Sequence, residues 1–342
     1  MTYLFTPERV IFEEKALSYP LGKELYEKFN HANIPLEVIS SVRVTNLPGK
    51  TPAEKYRRAK KIVAVTMKKS LSFSSCKPSA HYQIPLATSC PGRCEYCYLQ
   101  TTLGRQPYIR VYVNIEEILD KAQKYIDKRL PQDTLFEASA TSDPLSLEPW
   151  TQSLFKTIEF FGRQKHGLLR FVTKFTAVDT LLTAKHNNRT RVRFSLNTQH
   201  IIKTHERGTP SLEHRLEAAA KIASAGYPLG FILAPIFIYP GWEKDYEKLL
   251  KSIKKTISLP HDEIDLTFEL ITHRFTKKAK NIILERFPQS LLEMEENNRQ
   301  FKWGQFGYGK YLYKKEDLGQ LKSFFQETIS QLFPQAPIEY FI

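Results

Sequence analysis

Cysteine is scarce in this chain: 342 residues hold only four, too few and too unevenly placed for the disulfide framework of a secreted scaffold. Long apolar runs are missing as well. No stretch approaches the roughly 18 residues that a membrane span needs, and no lipidation motif is present. The opening residues, Met1-Thr2-Tyr3-Leu4-Phe5-Thr6-Pro7-Glu8-Arg9, lack the charged segment and apolar core of a signal peptide. The expectation is a cytoplasmic protein without a membrane partner. Acidic residues are also in short supply, 36 against 50 Lys and Arg, for a formal net charge of +14. Such a surface draws polyanions, with nucleic acid the leading class.

Apolar residues make up 42% of the chain. A single core rarely grows past about 250–300 residues, so a main domain with smaller appendages is expected. Residues 1–80 read as a small N-terminal α/β appendage, with a helix near Gly22–Ala32 and a strand at Leu36–Ile39. A basic run, Glu54 to Lys61, is either a solvated helix face or a phosphate contact. Residues 81–285 alternate short apolar runs with helical patterns, as βα units around a parallel sheet do. Strands are expected at Tyr82–Ala87, Thr134–Ser139, Leu169–Thr173, Val192–Leu196, Leu229–Ile236 and Ile264–Leu270. Helices are expected at Ile115–Leu130, Thr151–Gln164, Ala177–His186, Ser211–Ala225 and Trp242–Ile257. The fold class is therefore α/β, a partial (β/α)6 barrel of TIM type, with its chemistry at the carboxyl ends of the strands.

Residues 286–342 depart from the repeat. A helix around Gln289–Gln300 precedes a run of alternating aromatic and basic residues with glycines, which reads as a β-hairpin. Its Lys302, Trp303, Phe306, Tyr308, Lys310 and Tyr311 suit stacking on bases and meeting phosphates. Ordinary packing of the aromatics against the barrel is the alternative.

Three of the four cysteines fall together, in Ser89-Cys90-Pro91-Gly92-Arg93-Cys94-Glu95-Tyr96-Cys97-Tyr98. The spacing C-x3-C-x2-C directly after the first barrel strand lets one loop give three thiolates to a [4Fe–4S] cubane, leaving one iron open. An open iron can chelate S-adenosylmethionine (SAM), and an electron then breaks a carbon–sulfur bond to give a 5′-deoxyadenosyl radical. Zinc normally takes four protein ligands, and no fourth is obvious nearby. Cys76 stands apart and reads as an ordinary unligated thiol.

This loop resembles that of the radical SAM superfamily. Tyr98 after the last cysteine, the segment Thr141-Ser142-Asp143-Pro144 and the run Gln305 to Tyr311 resemble the spore photoproduct lyases over nearly the whole chain. The resemblance implies repair of 5-thyminyl-5,6-dihydrothymine, the ultraviolet lesion of spore DNA, in the spore core. A hydrogen is taken from C6 of the lesion, the methylene bridge breaks, and a donor cysteine quenches the product radical. It also implies SAM contacts at Tyr96, Ser142, Asp143, Lys174, Ser195 and Ala234, relay tyrosines at Tyr96 and Tyr98, and an electron donor such as a flavodoxin or ferredoxin. The lesion must leave the duplex stack, which costs a few kcal/mol. At the donor position this chain has Ala140. An alanine methyl has no labile hydrogen, so the resemblance implies an enzyme impaired in its last step, as an engineered donor knockout would be. A different radical SAM activity, on another nucleic acid or a protein, and a non-catalytic metal-containing nucleic-acid-binding protein are the competing readings.

Overall fold

The computed structural model describes residues 4–41, 47, 49–104, 107–257, 265–303 and 309–342. These form two compact units: residues up to Gly92 with Leu103–Val192, and Arg93–Thr102 with Arg193–Ile342.

The first unit contains a five-stranded sheet in the order Leu36–Ile39, Arg9–Glu13, Ile62–Thr66, Ile109–Tyr112, Ala87–Thr88. All pairings are parallel except the last. Ile62-Val63-Ala64-Val65-Thr66 is buried at every position, which explains its unbroken apolar run: a parallel strand is covered on both faces. The helix Pro20–His31 starts on a proline, whose missing N–H costs nothing there. It buries Leu21, Leu25 and Phe29 at four-residue spacing, and Phe29 meets Phe12 of the sheet edge to face at 6.4 Å. Each such side chain contributes about 1.5–3 kcal/mol by burial.

The same unit holds the start of the barrel sheet. Tyr82–Ile84, Thr134–Ala138 and Gly167–Thr173 pair in parallel, and Thr190–Leu196 comes next in the strand order. That strand runs through the division at Val192. In the second unit the order continues with Leu229–Ile236, Leu266–Thr272 and Ile338–Phe341, the last three in parallel pairs. Helices Ile115–Asp127, Ser153–Gly162, Leu212–Ser224 and Trp242–Thr256 stand where periodicity places them. The partial barrel is thus the observed architecture, with a seventh strand, Ile338–Phe341, that the repeat did not announce.

Two expected helices are corrected. Ala177–His186 contains only a 3-10 turn, Asp179–Thr183; Thr176, Val178, Thr180 and Thr183 are β-branched, and such side chains disfavour the α-helix. Gln289–Gln300 holds a 3-10 turn at Glu296–Asn298. The helix lies earlier, at Lys277–Arg286, capped by the Thr276 hydroxyl, which accepts from the Ala279 N–H. Pro288 helps to stop it.

Candidate active site

In the first unit the polar rim is built where the barrel strands end. Thr134–Ala138 runs into a turn through Ser139, whose φ of 51° lies in the left-handed region. Ser139 Oγ accepts from the N–H groups of Leu86 and Ala87 at 3.0 and 3.1 Å. Ala140 is half-buried in this turn. Thr141 O accepts from Ser89 N at 2.8 Å, and Ser142 Oγ donates to Ser89 O. The turn at the donor position and the start of the cysteine loop are thereby stitched together.

Lys60 completes this anchor. It comes from the basic run that the sequence offered as a solvated face or a phosphate contact, yet it is only 3% exposed. Its Nζ donates to Ser89 Oγ at 3.1 Å and to Cys90 O at 2.9 Å. Gly92 N donates to Cys90 Sγ at 3.3 Å. Asp143 is buried beside the rim. Its Oδ1 accepts from Thr173 Oγ1 and its Oδ2 from Lys174 N, both at 2.8 Å. Burial pushes its carboxyl up to about 6, outweighing those two hydrogen bonds, which favour the charged form. Lys174 thus meets Asp143 through its backbone, and both Asp143 oxygens are engaged in shaping the rim.

In the second unit Arg93–Cys94 pairs antiparallel with Glu206–Arg207. Gln100 Nε2 donates to Cys94 O at 3.1 Å, and Arg286 Nη1 donates to Gln100 Oε1 at 2.7 Å. Glu95, between the second and third cysteines, accepts from His205 Nδ1 at 3.0 Å, Ser290 Oγ at 2.6 Å and Arg207 Nε at 2.9 Å. Tyr96 donates its hydroxyl to Glu206 and sets its ring 5.7 Å from Phe237. Shielding from solvent and the Glu206 charge push that hydroxyl well above its usual range. Glu206 in turn pairs with the fully buried Arg215 at 2.5 Å, which donates to Ser195 O at 3.1 Å. Ala234 precedes Pro235, whose carbonyl accepts from Asn197 Nδ2 at 2.7 Å. Tyr98 is 57% exposed. Sequence reasoning missed Lys60, Glu95, Glu206 and Arg215. Only Glu95 carried a signal, its place inside the cysteine motif.

The hairpin forms from Gln300–Trp303 and Gly309–Leu312; Phe306 and Tyr308 lie outside the described residues. Trp303 is 70% exposed, while Tyr311 is buried, stacked on Phe275 at 5.2 Å with its hydroxyl donating to Glu296 at 2.5 Å. Of these two aromatics only Trp303 faces solvent. Lys302 is exposed and Lys310 half-buried.

The thiol loop suits an iron–sulfur cubane. None of Cys90, Cys94 and Cys97 is in a disulfide, and the carbonyls of Cys90 and Cys94 are held by the contacts above. Among the described residues, no three His, Cys, Asp or Glu side chains gather as ligands of a single metal ion.

A family profile for spore photoproduct lyase matches residues 5–342. The chain belongs to that family. It is 51% identical to the spore photoproduct lyase of Bacillus subtilis over 339 residues, 98% of both chains. It is 45% identical to that of Clostridium acetobutylicum over 334 residues, again 98% of each. A solved spore photoproduct lyase with bound AdoMet and dinucleoside spore photoproduct superposes with a TM-score of 0.96 at 50% identity, covering 99% of this chain and 100% of that one. That protein is a double mutant, with cysteine changed to alanine at its position 140 and serine to cysteine at its position 76. Spore photoproduct lyases are radical SAM enzymes of DNA repair, and this chain is one, with a [4Fe–4S] cluster and SAM as its cofactors. Among the described residues, no helix is long and apolar enough to cross a membrane.

Proposed function

We propose that this chain reverses 5-thyminyl-5,6-dihydrothymine in DNA to two thymines and draws the last hydrogen atom from Cys76. The observation that carries the second half is a pair of residues. The chain has alanine at 140 and cysteine at 76, and a relative given that same pair at those numbers was solved with AdoMet and the dinucleoside lesion bound. Ala140 offers only strong C–H bonds. The Cys76 thiol offers a weak S–H bond, and the thiol is present and free of disulfide. Its turn is tied to the strand that leads to Ala140: Cys76 bridges to Ala80, and Ser79 Oγ donates to Glu137 at 2.7 Å, three residues before Ala140.

Cys90, Cys94 and Cys97 would hold the cluster, which when bound would supply the electron that lets SAM abstract hydrogen from C6 of the lesion. The chain's residues do the rest. Cys76 gives its hydrogen atom to the methyl-centred product radical, so a C–H bond forms, the S–H bond breaks and a thiyl remains on Cys76. A tyrosine hydroxyl then gives a hydrogen atom to that thiyl, and the tyrosyl takes one from the methyl group of 5′-deoxyadenosine, which returns the adenosyl radical consumed at C6. Tyr98 suits the relay better than Tyr96, whose hydroxyl is engaged with Glu206. Tyr96 instead holds the loop beside the adenosyl group. The residues assigned to SAM binding are Ser142, Asp143 and Lys174 of the first unit and Ser195 and Ala234 of the second. Lys302, Trp303 and Lys310 meet the strand carrying the lesion. The reductant is a flavodoxin or ferredoxin, and the enzyme works in the cytoplasm that becomes the spore core.

A single-turnover assay in D2O with the lesion dinucleotide tests this. Wild-type protein is expected to give dithymine with one deuterium in a methyl group. Cys76→Ala is expected to release 5′-deoxyadenosine while dithymine falls at least about tenfold, and Cys76→Ala with Ala140→Cys to recover it. Full deuterated yield from Cys76→Ala removes the donor assignment. Absence of dithymine from all forms removes the lyase reading itself.

A further inference from the structure

The basic charge of the chain is not absorbed by the hairpin and rim. Segments 127–133, 163–166 and 185–191 contain seven Lys and Arg against two Asp. They lead into Thr134–Ala138, Gly167–Thr173 and Thr190–Leu196, which are consecutive in the barrel sheet. Adjacent strands lie about 4.8 Å apart, and hydrogen bonds knit the three segments into one edge. Thr134 N donates to His166 O and Leu169 N to Arg189 O, both at 2.8 Å, and Asn187 Nδ2 donates to Gly162 O at 2.9 Å. Lys128, Arg163, Lys165 and Lys185 are exposed there, with Arg189 and Arg191 half-buried. Of the two carboxylates, that of Asp133 is engaged by His166 Nδ1 at 3.1 Å.

This edge is the amino end of the strands, whereas Ala140, Ser142, Asp143 and Lys174 follow their carboxyl ends. The two ends are separated by strands of five to seven residues, or roughly 17–23 Å at about 3.3 Å per residue. A ligand at the rim therefore leaves the amino end uncovered.

We infer that the amino end of the barrel is a second DNA-binding face, which grips the phosphate backbone of another duplex segment while the rim holds the lesion. Phosphates are bound by cations alone, without an apolar centre, and with a steep dependence on salt. A protein partner needs more: its interface has an apolar core, and among the described residues of this edge the one large apolar side chain that stands markedly exposed is Leu130, at 52%. The proton and electron chemistry needs nothing from this end, because the Cys90 loop follows the opposite ends of the strands. Two faces on one enzyme let it stay on DNA while the rim samples neighbouring segments. The inference takes from the proposed function only that the polyanion met by this enzyme is DNA.

The test uses full-length, cluster-loaded protein with Lys128, Arg163, Lys165 and Lys185 each changed to Gln. For an undamaged duplex, the slope of log affinity against log salt is expected to shallow by about 3–4, roughly 0.9 for each phosphate no longer neutralised. Wild-type protein on a bead-bound duplex is expected to capture a second, labelled duplex, and the variant to lose that capture. Repair of the lesion dinucleotide, which is too small to span both faces, is expected to persist in the variant and so to report an intact fold. The single changes Lys165→Gln and Lys185→Gln are expected to shallow the slope by about 1 each. Unchanged slope and capture overturn the inference. So does a variant that loses only binding to a polyglutamate probe, which makes the edge a protein-docking face. Wild-type failure on the dinucleotide sinks the lyase reading and leaves the duplex measurements standing.

Discussion

Lys60 gives the sharpest test of how the cysteine loop is held. Changing it to methionine keeps the buried aliphatic stem but removes the ammonium that donates to Ser89 Oγ and Cys90 O at 3.1 and 2.9 Å. Hydrogen bonds to a charged group contribute about 1.5–3 kcal/mol each, and a buried acceptor left without a donor costs a comparable amount. Ser89 Oγ keeps its own donation to Pro107 O at 2.7 Å, so the main loss falls on the Cys90 carbonyl. A net cost of about 2–4 kcal/mol follows. For a chain of this size that lowers the thermal midpoint by roughly 3–6 °C. The loss should also be local: the Cys90 backbone loosens, so iron retained after anaerobic reconstitution should fall while the far-ultraviolet circular dichroism stays unchanged. Thermal melts of the apoprotein and iron analysis of the loaded protein read the two effects. A Lys60→Met protein with wild-type midpoint and iron content refutes the anchoring role and returns Lys60 to the surface.

The titration of Asp143 gives a pH-dependent signal. A carboxyl pushed up to about 6 ionises more readily in the unfolded chain. Its contribution to stability is therefore complete below about pH 4 and lost as pH rises through about 6, roughly 3 kcal/mol in all. Urea unfolding of wild type and Asp143→Asn between pH 4 and 7 should show the gap between the two curves changing by about that amount; parallel curves contradict the burial argument. Trp303→Ala removes an exposed ring, so stability should move by less than about 0.5 kcal/mol. Binding of lesion-containing duplex should weaken by about 5- to 100-fold, the worth of one base–aromatic stack. Equal binding by fluorescence anisotropy makes the ring a bystander.

Much of this enzyme is written in local pattern. The C-x3-C-x2-C spacing is a statement about reach along one loop, so the radical SAM family is readable from it without a fold. The strands Thr134–Ala138 and Leu229–Ile236 and the helix Leu212–Ser224 match periodicities that need no distant partner. Ala140 is legible for the same reason, as one residue at a fixed place in a motif. Where short-range signals conflict, the reading fails: β-branched residues undo the helix expected at Ala177–His186, and Gln289–Gln300 holds only a 3-10 turn while the helix lies earlier, at Lys277–Arg286.

What the sequence by itself determined is the chemistry: a SAM-dependent radical enzyme with alanine at the donor position, 140. What only the tertiary structure decided is which polar groups share a neighbourhood. Lys60 sits in a run of surface cations and yet is buried, because its partners Ser89 and Cys90 lie about thirty residues away along the chain. Glu206 and Arg215 hold Tyr96 from more than a hundred residues away. The cations before three strands become one surface only when the sheet aligns their amino ends. Propensity and spacing act over a few residues, whereas desolvation and charge pairing act through space, and the fold is what turns one into the other.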